Sequence, residues 1–293
     1  MMRKMSLFLA VSALSLGAAS VANAQSVRVE NAVVRMIYMP ENRSDIAVEI
    51  TNDNGTLPRL EVTRSGRDVR IKGGVGGRRG PRISQCRAGR GSDAPSQPGQ
   101  NASVHVAGIG NIALEDAPMV VIRGPLNAEI ATGSAVFGTV TPGARNVEIS
   151  SGGCGDWVVA NVQNSAEINI GGSGRTWVGR SEKLEVAIGG SGDVYANQTD
   201  NLEVAIGGSG NVVLQRVNGP VDVAIAGSGD VRIASGDSPE MEVAIAGSGD
   251  VTHGGTVGNL SSTIVGSGDI RVAHVTGNST RTVMGSGRIR IGN

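Results

Sequence analysis

The chain has 293 residues, and its 26 basic and 26 acidic side chains give a formal net charge of zero at pH 7. This balance excludes binding to nucleic acid or to an anionic membrane through bulk positive charge. Glycine supplies 45 residues and aromatic side chains only 2%, a composition that is typical of disorder unless the sequence is periodic.

The first 24 residues have the pattern of a secretory signal peptide. Arg3 and Lys4 precede an apolar run from 7 to 16, and an Ala-Asn-Ala motif at 22–24 offers a cleavage site before Gln25. The run is shorter than the about 20 residues that a membrane-spanning helix needs. We therefore expect a mature chain that starts at Gln25, has no transmembrane segment and is periplasmic, secreted or held on the cell surface.

Residues 25–100 are predicted to form opening β-strands or irregular coils, because apolar and polar residues alternate in segments such as 46–50 and 69–71. Residues 78–100 are predicted to form an arginine-rich loop, because several arginines occur there among glycine and proline. Such a loop is either solvated or grips a phosphate or uronate group through bidentate hydrogen bonds. The five arginines are Arg78, Arg79, Arg82, Arg87 and Arg90.

The chain has two cysteines, Cys86 and Cys154. In an oxidising compartment an even number of cysteines favours a disulfide. We expect Cys86 to bond Cys154 and to tie the irregular region to the repeats, the alternative being two buried free thiols.

Residues 101–293 are predicted to form an array of one short unit, with a Gly-Ser-Gly corner that is most often followed by aspartate. The unit recurs every 18 to 20 residues, a period that excludes most globular folds. The corner serines are Ser173, Ser191, Ser209, Ser228, Ser248, Ser267 and Ser286.

Each unit predicts one coil of a β-solenoid. In 221–225 and 231–233 apolar residues alternate with polar or small ones, which indicates two short strands with one buried face. The glycines beside Ser228 allow a sharp corner between these strands, through positive φ. One unit cannot bury its apolar edge alone, so the coils stack into an all-β, single-stranded, right-handed parallel β-helix.

Weaker copies extend the array toward the N-terminus. Cys154 takes the corner-serine position within 152–156, residues 104–112 look like a further copy, and Gly133-Ser134 is an intermediate case. At the other end Arg281 replaces a core valine and Arg288 replaces the corner aspartate, which predicts a C-terminal cap.

The position after each corner forms a column that is mainly aspartate. Carboxylates stacked about 5 Å apart repel one another, so they either cap backbone N–H groups of the turns or bind Ca²⁺, which prefers oxygen ligands. Calcium is the one cofactor that the sequence suggests. The carboxylates that would hold it are Asp193, Asp230, Asp250 and Asp269.

A second acidic column lies on the outward side of the first strand. It predicts a solvated face that blocks aggregation, or a surface for a cationic partner. Its members are Glu148, Glu167, Glu185, Glu203, Asp222 and Glu242.

The repeat breaks at Arg175, Trp177 and Tyr195, and we expect a ligand-binding site there. Trp177 and Tyr195 occupy equivalent outward positions of adjacent coils, four residues beyond Ser173 and Ser191. Their rings should lie side by side, either as a stabilising cross-strand pair or as an exposed apolar platform for sugar rings.

The signal peptide, the opening strands that end at Val69-Arg-Ile71 and the Gly-Ser-Gly-Asp corners at 227–230, 247–250 and 266–269 together resemble the bacterial family called putative autotransporter adhesin, head GIN domain. This resemblance implies an extracytoplasmic β-helix that binds a partner, without naming the partner.

Catalytic signatures are missing from the sequence. The histidines have no metal-ligand spacing, and neither a Gly-x-Ser-x-Gly elbow nor a phosphate loop is present. We therefore expect a non-enzymatic, adhesin-like or scaffold protein that binds an envelope or extracellular polysaccharide or a surface protein. The alternatives are a polysaccharide lyase or hydrolase and a calcium-stabilised structural scaffold.

Overall fold

The computed structural model of this chain describes residues 25–76, 80–87, 89 and 93–292. The predicted signal peptide and Arg78, Arg79 and Arg90 lie outside the described residues. Strand makes up 63% of the structure, and the described residues contain one 3-10 turn at Leu114–Asp116 and no α-helix. The all-β prediction is therefore confirmed.

The N-terminal part of the described chain combines parallel coils with short antiparallel strands. Its strands are β1 (Gln25–Pro40), β2 (Ala47–Thr51), β3 (Glu61–Ser65), β4 (Asp68–Lys72), β5 (Ile83–Arg87), β6 (Ser103–Val106), β7 (Gly110–Ala113), β8 (Met119–Gly124) and β9 (Asn127–Val140).

From residue 146 onward every strand pairs in parallel with the equivalent strand of a neighbouring coil. These strands are β10 (Asn146–Ser151), β11 (Trp157–Val159), β12 (Ser165–Ile170), β13 (Thr176–Ile188), β14 (Val194–Ile206), β15 (Val212–Val217), β16 (Val221–Ile225), β17 (Val231–Ile233), β18 (Asp237–Gly247), β19 (Val251–Gly266), β20 (Asp269–Val275), β21 (Ser279–Gly285) and β22 (Arg288–Ile291).

The stacked strands form a β-solenoid of about 9 turns, as the repeat predicts. Equivalent residues lie in register: Val204 pairs with Val223, and Val223 pairs with Val243. All three are at most 2% exposed, so identical side chains stack in columns through one continuous core. The right-handed sense of the helix stays a prediction.

Close contact between coils, rather than backbone conformation, explains most of the corner glycines. Gly227 and Gly229 do not have positive φ, so the expectation of a left-handed backbone there is wrong. A Cβ atom added at Gly229 would instead overlap the carbonyl oxygen of Gly210 in the preceding coil. A Cβ atom at Gly249 or Gly268, one and two coils later, would overlap a backbone carbonyl oxygen in the same way. Close stacking of the coils therefore requires glycine at these corners.

The first coil is assembled from two separate segments. Strands β4 and β8 pair in parallel with β1, on the edge opposite to β9. Strand β3 then pairs antiparallel with β4, and β2 pairs antiparallel with β8. The predicted opening strands are thus present, and two antiparallel strands cover this end of the stack, which protects its edge from further pairing.

Strands β5, β6 and β7 form an antiparallel sheet, here called the side sheet. The expectation that 104–112 is another repeat copy is therefore wrong. Gly108 and Gly110 have φ of 79° and 112°, and this backbone turns the chain back on itself after Val106. Part of the predicted loop 78–100 is likewise a strand, β5.

The side sheet packs on the solenoid through a second, smaller core. Val104 and Leu114 are fully buried there against Phe137 of β9. The predicted disulfide is confirmed: Cys86 of β5 is bonded to Cys154 of the solenoid, with their Cα atoms 6.2 Å apart. The side sheet is thus fixed both by apolar packing and by a covalent bond.

The last coil ends in the residues that depart from the repeat. Arg281 pairs with Ser262, which pairs with Val243, so its charge occupies the inward register of β21, where it is exposed at the end of the stack. Inward-pointing charge discourages further strand pairing. Val283 and Met284 are 42% and 41% exposed on the same strand.

Candidate functional site

The aspartates after the corners form a hydrogen-bonded ladder. The Oδ1 atom of each Asp or Asn accepts a hydrogen bond from the backbone N–H of the equivalent residue one coil later. The pairs are Asp193 to Asn211 (2.8 Å), Asn211 to Asp230 (3.1 Å), Asp230 to Asp250 (2.8 Å), Asp250 to Asp269 (2.8 Å) and Asp269 to Arg288 (3.0 Å).

These bonds confirm the capping interpretation of the corner aspartates. Asn211 serves as well as aspartate, because its amide oxygen is also an acceptor. The residues that the structure describes include no group of three His, Cys, Asp or Glu side chains placed to share a metal ion. Calcium binding at Asp193, Asp230, Asp250 and Asp269 stays a prediction.

The ladder changes character at Arg175, which takes an aspartate position. Its backbone N–H donates to Asp156 Oδ1 (2.9 Å), and its Nη2 donates to Asp156 Oδ2 (2.7 Å). The same Nη2 donates to the carbonyl oxygen of Gly89 (2.7 Å), in the segment that follows the side sheet's first strand. Asp156 is only 5% exposed, so this pair joins the solenoid to that segment within the interior.

Trp177 and Tyr195 are neighbours, as the sequence predicts. They pair in register, and their rings stack with centroids 5.6 Å apart and planes 18° apart. The Arg175 guanidinium lies 4.9 Å from the centre of the Trp177 ring, a cation–π arrangement. Burial raises the pKa of Tyr195, and the nearby Asp193 raises it further.

Of the two alternatives for this ring pair, the structure shows the stacked cross-strand pair, and Trp177 does not form part of an exposed platform. This side chain is 8% exposed, because Tyr195 covers one side of its ring and Arg175 lies over it. Ligand binding by Arg175, Trp177 and Tyr195 stays a prediction. The contacts described here give Arg175 and Trp177 a stabilising role in this part of the fold.

A cleft of about 190 Å³ lies next to this cluster. Asp156, Arg175 and Phe137 line it on the solenoid side, and residues 93–95 and 99–102 line it on the other. Arg82 and Arg87 of the predicted anion-gripping loop are exposed and do not line this cleft. Anion binding by that loop stays a prediction.

The second acidic column is present and is longer than the sequence predicts. Glu129 of β9 stacks under Glu148, which stacks under Glu167. The column continues in register to Glu242. Sequence reasoning missed Glu129, although the alternation in 128–131 could have revealed it.

Few cations balance this column. Lys183 pairs with Glu185 and lies 3.7 Å from Glu203. Within the described part of the chain no ion pair reaches Glu129, Glu148 or Glu167. Partial burial and then the charges of Glu167 and Glu129 raise the pKa of Glu148.

A groove runs beside the acidic column along the axis of the solenoid. Its volume is about 660 Å³, and its floor consists of small outward residues from four successive coils. Glycines of the corners line its far side, and Arg28, Val29 and Glu30 lie at its N-terminal end. The floor residues are Ala131, Ser150, Asn169 and Ala187.

His253 is fully buried, in register with the core residues Ile233 and Val272 of the neighbouring coils. Its Nδ1 accepts a hydrogen bond from the backbone N–H of Gly255 (3.1 Å), and its Nε2 lies 3.1 Å from Ser238 Oγ. The Nδ1 contact requires the proton on Nε2 in the neutral ring. Burial lowers the pKa of His253, so the side chain serves the core in its neutral form.

Residues 185–293 match the model of a family described as putative auto-transporter adhesin, head GIN domain. The predicted resemblance is confirmed for that segment. Comparison with curated proteins finds no match. No helix among the described residues has both the length and the apolar character needed to cross a membrane.

Three solved structures of similar fold are from Parabacteroides. A putative adhesin from Parabacteroides distasonis shares 18% identity and a TM-score of 0.51, over 93% of this chain and 94% of that chain. A putative lipid binding protein from the same organism shares 17% identity and a TM-score of 0.51, over 92% and 93%. A putative adhesin from Parabacteroides merdae shares 15% identity and a TM-score of 0.51, over 92% of each chain. At these identities the likeness shows the fold alone.

Proposed function

We propose that this chain, whose residues 185–293 match the head GIN domain family, is a non-enzymatic, adhesin-like binding protein that works outside the cytoplasm. It holds an envelope or extracellular polysaccharide or a surface protein against its lateral face. The Cys86–Cys154 disulfide supports an oxidising compartment, such as the periplasm or the cell surface.

The groove is the observation that carries this proposal. It is long, open and parallel to the solenoid axis, and its floor is made of small side chains that let a partner approach the sheet closely. Such a shape suits one stretch of an extended polymer. The stacked coils hold the floor rigidly, because their backbone hydrogen bonds run from coil to coil.

A substitution that fills the groove tests the proposal. Ala187→Trp places a large ring on the groove floor, while Ala224→Trp changes the same column two coils farther on, outside the groove. Purified envelope fractions and a glycan array are presented to the wild type and to both variants. We expect Ala187→Trp to lose retention and Ala224→Trp to keep it.

A parallel assay with polyuronate separates binding from catalysis. Retention without release of shorter products supports the adhesin-like function. Turnover of the polymer would replace it with the lyase or hydrolase alternative, and retention that Ala187→Trp leaves unchanged would remove the groove from the function. A protein that retains nothing and gains thermal stability from calcium would instead favour the structural scaffold.

A further inference from the structure

Each floor residue of the groove has an acidic neighbour on the same strand face. Side chains two residues apart in a strand point to the same side of the sheet. Glu148 therefore lies beside Ser150, and Glu167 lies beside Asn169, whose Nδ2 donates to Glu167 Oε1 (3.0 Å). The four carboxylates that border the groove are Glu129, Glu148, Glu167 and Glu185.

The four carboxylates along the groove carry negative charge that few cations balance. Of the four carboxylates only Glu185 has a cationic partner among the described residues, Lys183. Arg28 at the end of the groove lies 4.0 Å from Glu30, which also lies 3.5 Å from Arg70. In the parts of the chain that the structure describes, three stacked carboxylates therefore remain without a counter-charge. Burial raises the pKa of Glu148, and the charges of Glu167 and Glu129 raise it further.

The dimensions of the groove suit an extended polypeptide. Neighbouring strands lie about 4.8 Å apart, so four coils span roughly 14 Å, the length of about four or five extended residues. Lysine and arginine side chains are long enough to reach carboxylates at the border while the backbone of such a peptide lies over the small floor residues. A cationic side chain beside Glu148 would also relieve the like-charge repulsion.

The same border disfavours common acidic polysaccharides. Polyuronate chains would bring further carboxylates against Glu129, Glu148 and Glu167, and like charges in close contact lower affinity. The groove lining also lacks aromatic side chains, on whose faces sugar rings commonly stack. Among the partner classes of the proposed function, the chemistry of the groove favours a protein.

We propose that the groove binds an extended, lysine- or arginine-rich segment of another protein, with its cationic side chains on Glu129, Glu148 and Glu167. This inference rests on the proposed function, since it names the partner of the same lateral groove. The occupant is recognised by regular positive charge along an extended backbone.

Fluorescence polarisation with a labelled peptide of alternating lysine and alanine, eight residues long in this design and acetylated at its N-terminus, tests the inference on the whole chain. The expected result is saturable binding that weakens as salt rises, because screened charges attract less. A matched peptide of alternating glutamate and alanine should not bind. Chitosan oligomers and polygalacturonate serve as cationic and anionic polysaccharide probes.

Two double variants locate the binding. Glu148→Gln/Glu167→Gln removes two charges at the groove, and Asp222→Asn/Glu242→Gln removes two charges from the same column outside it. We expect about tenfold weaker peptide binding for the groove variant, and about twofold or less for the other, since two close charge pairs are lost only in the first. Circular dichroism checks that both fold.

The outcomes separate the inference from the proposed function. Equal loss in both double variants would show diffuse charge attraction and overturn the groove assignment. Failure of the lysine peptide to bind, together with polysaccharide retention that Ala187→Trp abolishes, would overturn the inference and leave the proposed function standing. If neither peptide nor envelope material depends on Ala187, both are wrong.

Discussion

The guanidinium of Arg175 lies 2.7 Å from the carboxylate of Asp156, one coil below it in the corner column. Elsewhere in this column, carboxylates or amides stack on one another through backbone N–H groups. Arg175 keeps the backbone contact of the ladder with Asp156 and adds an ion pair to it. The same side-chain nitrogen, Nη2, donates to the carbonyl oxygen of Gly89.

Arg175→Asp should lower the free energy of unfolding by about 3 kcal/mol, although it restores the repeat. Removing one partner of a buried ion pair leaves the other charge uncompensated. Asp156 is 5% exposed and would face a second carboxylate. Denaturant unfolding followed by circular dichroism measures the change.

The double variant Asp156→Asn/Arg175→Asp is the matched rescue. It places an asparagine one coil below an aspartate in the column, as Asn211 already lies one coil below Asp230. We expect it to recover at least half of the loss. If Arg175→Asp alone is as stable as the wild type, the ion pair contributes nothing to stability.

Gly229→Ala should destabilise the protein by about 2 kcal/mol or more, because overpacking against a fixed backbone forces the coils apart. The added Cβ would overlap the carbonyl oxygen of Gly210. Gly189→Ala is the matched control, since a Cβ there meets nothing within 4 Å. The control should stay within about 0.5 kcal/mol of the wild type, and equal effects would contradict the close-contact account of the corners.

Asp250→Ala should lower the free energy of unfolding by about 1 kcal/mol, the usual value of one hydrogen bond. It removes the acceptor for the backbone N–H of Asp269. Asp250→Asn keeps an acceptor, as Asn211 does, and should cost much less. Thermal unfolding of both variants decides whether capping, rather than charge, is the role of this column.

Calcium gives a separate test of the same carboxylates. If Asp193, Asp230, Asp250 and Asp269 bind the ion, millimolar calcium should raise the melting temperature of the wild type, because a ligand that binds only the folded state stabilises it. Asp250→Asn should reduce that rise. An unchanged melting temperature would discard the calcium hypothesis and leave the capping bonds as the function of the column.

The stability of the protein should decrease in mild acid because of His253. Burial holds its pKa below the ordinary value, against the opposing effect of the Asp237 charge. Below about pH 6.5 the unfolded chain takes up a proton that the folded core resists, so the free energy of unfolding falls by up to about 1.4 kcal/mol per pH unit. The fall ends at the lower pKa of the folded state.

His253→Val isolates this contribution. Valine suits the position, because the residues stacked on either side are Ile233 and Val272. The variant leaves Ser238 without its ring partner, a loss that is the same at every pH. Denaturant unfolding between pH 7.5 and pH 5, chosen to bracket the titration of free histidine at about 6.5, should show a shallower slope for the variant; parallel curves would contradict the prediction.

The solenoid could be predicted from the sequence because one physical demand recurs in every unit. Stacking places Val204, Val223 and Val243 in one column, and it places a glycine wherever two coils touch through their backbones. Such demands leave a visible period. The disulfide was also predictable, because the chain has only two cysteines.

The N-terminal region was less predictable because its partners are distant in sequence. Alternation in 69–71 indicates a strand but cannot reveal that β4 pairs with β1, or that β3 covers it antiparallel. The prediction for the side sheet was wrong for a related reason. Residues 104–112 have the composition of a repeat unit, but they form an antiparallel hairpin. Burial of Trp177 depends on neighbours from two coils, so the position of one ring did not reveal it.

Each hydrogen bond of the corner aspartate column joins one coil only to the next coil. The number of coils can therefore change without loss of these bonds. Duplication of the unit between Asp230 and Asp250 would bring its own donor and its own acceptor, so the contacts on either side would persist. The groove floor ends at Ala187 and would keep its shape. Recombination within the repeats can therefore change how far the groove lies from the C-terminal end of the solenoid, without any change in the residues that line the groove.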